Sequence, residues 1–127
     1  MRDIEETVNH CPVELSLELI TKKWVIQLIR DMFFGKTHFN EFKENKKISN
    51  KVLSKCLKQM ETDCLIVKNE EGNSTNYQLT EKGKALNKVI YDLEMYTVNT
   101  DKYNHYYNDE TKKKIKNVFK RSLIYSF

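Results

Sequence analysis

Glycine and proline are scarce, three and one in 127 residues. Few positions can break a helix, so a mainly helical chain is expected. No apolar run approaches the roughly 20 residues a membrane span needs. Met1-Arg2-Asp3-Ile4-Glu5-Glu6 is acidic and has no apolar core, which excludes a signal peptide of the usual kind. Three cysteines, an odd number with no secretion signal, read as reduced thiols in a cytoplasmic protein. His10 and Cys11 are adjacent but no second pair has metal-finger spacing, and His38 and His105 are isolated. Neither a metal nor a cofactor is expected. Nor is there a Gly-rich phosphate loop, a pair of catalytic carboxylates or a Ser-His-Asp arrangement, so an enzyme is not expected.

What is present fits one domain with a real core. The net charge of +4 is a mild excess, and its distribution decides its meaning. Cys11-Pro12-Val13-Glu14 has the chemistry of a helix start, with Pro12 at the first helical position and Glu14 able to reach back. Val13, Leu17 and Ile20 make its apolar face, widened by Leu15 and Leu19. A second helix is expected from about Lys23 to Phe34, apolar around most of its circumference and therefore central, with Gly35 as its stop. A short third helix, His38 to about Asn45, should be capped by Thr37 and rest on Phe39 and Phe42.

Ser49 caps a fourth helix running to about Thr62. Leu53, Leu57 and Met60 form its apolar stripe, flanked by Val52 and Cys56. The opposite face carries Asn50, Lys51, Ser54, Lys55 and Lys58. Leu65-Ile66-Val67, the turn Glu71-Gly72-Asn73-Ser74 and Tyr77-Gln78-Leu79 read as a two-stranded hairpin. Thr80 caps a long helix faced by Leu86, Val89, Ile90, Leu93 and Tyr96 or Thr97. After the tyrosine-rich link Tyr103 to Tyr107, residues Glu110 to Tyr125 form a basic amphipathic helix. Its apolar residues Ile115, Val118, Phe119 and Leu123 are expected to pack on a partner subunit.

Helix, turn, helix and hairpin in this order suit double-stranded DNA. The second helix of such a motif enters the major groove, and the hairpin forms a wing. Asn, Lys and Ser are side chains that meet base edges there. Ser49, Asn50, Lys51, Ser54 and Lys55 are the candidate readers. Lys58, Lys68, Asn73, Ser74 and Thr75 are candidates for holding phosphates, which fixes register and supplies salt-dependent affinity. The competing account is that a polar outer face of an amphipathic helix is simply solvated.

From Cys11 to about Val98 the chain resembles the HxlR family of winged helix-turn-helix transcription regulators. The residues that carry this are Cys11-Pro12-Val13-Glu14, Lys23-Trp24, Gly35 and Phe39-Asn40-Glu41-Phe42, then Ile48-Ser49-x-Lys51-Val52-Leu53, Leu57-x-x-Met60-Glu61 and Tyr77-Gln78-Leu79-Thr80-Glu81-Lys82-Gly83. The resemblance implies a cytoplasmic homodimer on a pseudo-palindromic operator, joined through its first and late helices. The two reading helices would then lie about 34 Å apart. The implied division is an N-terminal arm (1–10), a DNA-binding domain (11–99) and a C-terminal basic amphipathic helix for dimerisation (100–127).

Cys64 stands where the family has Gly, which costs on the order of 1 kcal/mol if the position is left-handed. Family members that sense oxidants or electrophiles use a cysteine at the position of Cys11, a candidate redox sensor. A helix start can stabilise a thiolate there, while Glu14 and Glu18 oppose it. The alternative is an unreactive boundary residue. A small-molecule or oxidant effector fits the first reading. A protein-interaction adaptor on the same scaffold is the alternative function.

Overall fold

The computed structural model describes residues 10–125. The expected N-terminal arm lies outside them except for His10. The described chain runs α1 (Pro12–Ile20), α2 (Val25–Phe33), α3 (Phe39–Phe42), α4 (Asn50–Thr62), β1 (Ile66–Glu71), β2 (Ser74–Leu79), α5 (Glu81–Lys84), α6 (Asn87–Asn99), a 3-10 turn (Asp101–Tyr103) and α7 (Asp109–Leu123). No described helix is long and apolar enough to cross a membrane.

The core forms where α2, α3 and α4 meet the hairpin. Val25, Leu28, Ile29 and Met32 of α2 pack with Phe42, Leu53, Leu57, Met60, Leu65 and Ile66. Ile90 of α6 and Leu123 of α7 close the same cluster. The face expected on α7 is thus spent largely within its own chain. Leu123 is fully buried, Phe119 packs edge-on to Phe34 at 5.1 Å, and only Val118 of the four is strongly exposed. Periodicity identifies an apolar face but not the neighbour that covers it. α1 is the opposite case, since none of its residues is buried.

Two helices end in the same way. After α2, Gly35 takes φ +98°, its N–H donates to the Met32 carbonyl at 3.1 Å, and the Lys36 N–H donates to Asp31 at 3.0 Å. After α4, Cys64 takes φ +62°, with the matching bonds Cys64 to Glu61 and Leu65 to Met60, both 2.9 Å. These are Schellman caps, which satisfy the last helical carbonyls through one left-handed residue.

The hairpin is antiparallel, with Ile66 opposite Leu79 and Glu71 opposite Ser74. Gly72 leads its two-residue turn at φ +59°, as a hairpin turn with Gly first requires. The Leu-Thr-x-x-Gly element then locks the wing to the exit of α4. The Thr80 hydroxyl donates to the Cys64 carbonyl at 2.6 Å and accepts the Gly83 N–H at 3.1 Å. The Thr80 N–H donates to Leu65 at 3.1 Å. A Cβ on Gly83 would lie 2.2 Å from that same Leu65 oxygen, so only glycine fits.

Candidate nucleic-acid interface

α3 is shorter than expected and starts one residue later. His38, not Thr37, is its N-cap, and the Thr37 hydroxyl bonds the His38 ring at 2.8 Å. The Glu41 carboxylate accepts the Thr37 N–H at 3.1 Å and the His38 N–H at 2.9 Å. These backbone bonds hold its acidity below the usual carboxylate range. The helix stops at Phe42 because the chain soon turns left-handed at Asn45, φ +59°. Asn tolerates that conformation better than most residues.

The turn before α4 is pinned from beneath. Asp31 near the end of α2 is 3% exposed, and its carboxylate forms an ion pair with the buried Lys46 ammonium. Arg30 joins at 3.1 Å and Lys36 at 4.0 Å. Ile48 is buried beside them. Nothing in the local sequence distinguishes Asp31 from a surface charge, because its partner is 15 residues away.

Ser49 caps α4 as expected, its hydroxyl accepting the Val52 N–H at 3.2 Å. Leu53, Leu57 and Met60 are buried, whereas Asn50, Lys51, Ser54, Lys55 and Lys58 are all exposed. Lys51, Lys55 and Lys58 form no ion pair among the described residues. Val52, expected to flank the apolar stripe, is 45% exposed on the first turn of α4. Cys56 is half-buried with its Sγ 3.9 Å from the Met60 sulfur, and burial pushes its thiol pKa up.

The wing is held against α3 by the Tyr77 N–H, which donates to the Thr37 carbonyl at 2.8 Å, and by the Tyr77 ring edge-on to Phe42. At its tip Asn73 and Ser74 are exposed and Thr75 is half-buried. Lys68 points its ammonium at Glu70, 3.2 Å away, and that bond raises its pKa. Glu71 is exposed beside them. The helix face is therefore cationic and polar, while the wing mixes its one lysine with two carboxylates.

Among known proteins, the family described as HxlR-like helix-turn-helix matches residues 19–105. The chain belongs to that family. It is similar to two uncharacterized HTH-type transcriptional regulators of Bacillus subtilis (strain 168). YdeP is 36% identical over 87 residues, 65% of this chain and 68% of YdeP. YybR is 32% identical over 96 residues, 72% and 77%. Among solved structures, the oxidised form of the redox regulator HypR is 30% identical, with a TM-score of 0.65 over 72% of this chain and 99% of HypR. Reduced YodB of B. subtilis is 28% identical, with a TM-score of 0.63 over 73% and 96%. The chain is thus a transcriptional regulator with a winged helix-turn-helix, and α3–α4 is the motif.

Cys11 is exposed and forms the N-cap of α1 with no side-chain cap bond; Cys64 is exposed as well.

Proposed function

We propose that this regulator acts as a homodimer that reads a pseudo-palindromic operator through α4. The observation that carries the reading is the exposed face of Asn50, Lys51, Ser54, Lys55 and Lys58 on a helix whose other side is anchored in the core. Ser49, Asn50, Lys51, Ser54 and Lys55 meet base edges, and the exposed Val52 is placed for a thymine methyl. Lys58 and the wing residues Asn73, Ser74 and Thr75 meet the backbone, with Lys68 a weaker contributor because of Glu70.

Dimerisation draws support from uncovered apolar surface. Val13, Leu15 and Leu17 on α1 are 64%, 50% and 46% exposed, and Leu93 and Tyr96 on α6 are 54% and 76% exposed. Such surface normally marks an interface. Redox or electrophile responsiveness through Cys11 is supported by its exposure at a helix start and by the likeness to HypR, a redox regulator, and to quinone-bound YodB, 30% identical.

The test is fluorescence anisotropy with DNA from upstream of the protein's own gene, titrated with salt and unrelated competitor. Lys51→Ala with Lys55→Ala should weaken binding at least about thirtyfold. It should also lower the salt slope by about two. Equal weak binding to all DNA, unchanged in the double variant, would remove α4 as the reader and favour the adaptor alternative.

A further inference from the structure

A cavity of about 340 Å³ lies between α2, α6 and α7, on the far side of α2 from the reading helix. Its wall is mostly apolar, built by Ile26, Ile90, Leu93, Ile115 and Phe119. One carboxylate, that of Glu94, stands in this wall. Both its oxygens are sealed from solvent and neither accepts a hydrogen bond from the protein. Native proteins rarely leave such groups without a donor, because an unpaired buried carboxylate is among the most unfavourable groups to bury.

The charged and titratable groups around it do not meet that need. From α2, Arg30 lines the cavity, but its guanidinium is bonded to Asp31 at 3.1 Å. From α7, Lys116 acts on Glu94 through space without bonding it. Tyr107 supplies the remaining polar edge. We propose that this cavity binds a small organic monocation, an ammonium carried on an aromatic or alkyl body, with Glu94 as its counter-ion. Charge decides the sign: an apolar hole with one carboxylate rewards a cation and rejects an anion. Size decides the class, since about 340 Å³ is at the small end of ligand sites. The proposal does not depend on which DNA is bound.

Protonation adds a signature. Desolvation raises the Glu94 pKa to about 7, Lys116 partly opposing the shift. A cation binds the ionised form, so affinity should rise as pH rises through that value. From pH 6 to pH 8 the ionised fraction, and with it the affinity, should increase about tenfold.

Isothermal titration calorimetry of the full chain with phenethylammonium tests this. One saturable site per chain is expected. Neutral phenethyl alcohol should bind at least about tenfold more weakly and anionic phenylpropionate should not bind, because the carboxylate discriminates. Glu94→Gln should lose at least about tenfold in affinity for phenethylammonium while keeping the wild-type circular dichroism spectrum. The pH series uses the unaltered protein, so it decides the matter even if the variant misfolds. Equal binding of the amine and the alcohol, a pH-independent affinity, or an unaffected Glu94→Gln protein would overturn the proposal. So would absent binding together with loss of dimer in Glu94→Gln by sedimentation, which would give the cavity to a second copy of the chain.

Discussion

The reading helix and the wing sit side by side on one core, yet they are built on different terms. α4 has a committed back and an uncommitted front: Leu53, Leu57 and Met60 are buried, and the lysines of its outer face are left unpaired among the described residues. The wing satisfies itself instead. Lys68 is spoken for by Glu70, Asn69 bonds Asn76 across the strands at 3.2 Å, and Glu71 adds a further negative charge. Free charge held on a rigid support is what a phosphate-lined groove rewards, and internally paired charge contributes little. The difference assigns most of the electrostatic affinity to α4 and leaves the wing to steer.

The largest effect should come from the support beneath α4. Asp31→Ala leaves Lys46 buried without its counter-charge, and should destabilise the fold by about 3–5 kcal/mol. The urea midpoint checks it, and a change under about 1 kcal/mol would mean the turn relaxes to free Lys46. On the wing side, Gly83→Ala forces a Cβ against the Leu65 carbonyl. A loss of about 1–3 kcal/mol is expected, read as a lowered thermal midpoint. If DNA affinity survives at temperatures where the variant is folded, the joint serves stability alone.

Between the two regions, Cys64→Gly relieves a left-handed residue at the exit of α4. It should raise stability by about 0.5–1 kcal/mol, seen in denaturant titration under reducing conditions. The smallest effect is Lys68→Ala, which should weaken DNA binding less than about threefold and leave the salt slope nearly unchanged. A loss as large as that of the α4 double variant would show that Glu70 releases Lys68 on DNA, and the contrast between helix and wing would fall.

A related contrast, between local and distant chemistry, separates what is legible in the sequence from what is not. Caps and turns are local: Gly35, Ser49, Gly72 and Thr80 act within a few residues of where they stand, and all four do what their surroundings ask. The buried stripe of α4 is equally local, fixed by helical spacing. Three features escape the sequence for a common reason. Asp31 meets Lys46 across 15 residues, Glu94 is enclosed by α2 and α7, and the apolar side of α7 closes on the body of its own chain. Each depends on which distant segment arrives, and periodicity carries no address. The early end of α3 is a smaller case, in which a single left-handed Asn45 outweighs a run of helix-compatible residues.

α1 has nine residues and no buried side chain. A helix of that length is marginal in water by itself, and here its own chain offers little to lean on. Its order is then a property of the assembly rather than of the monomer. Helix content would depend on protein concentration, falling on dilution as whatever covers Val13, Leu15 and Leu17 departs. Cys11, the residue that begins this helix, would then change its surroundings with every association event.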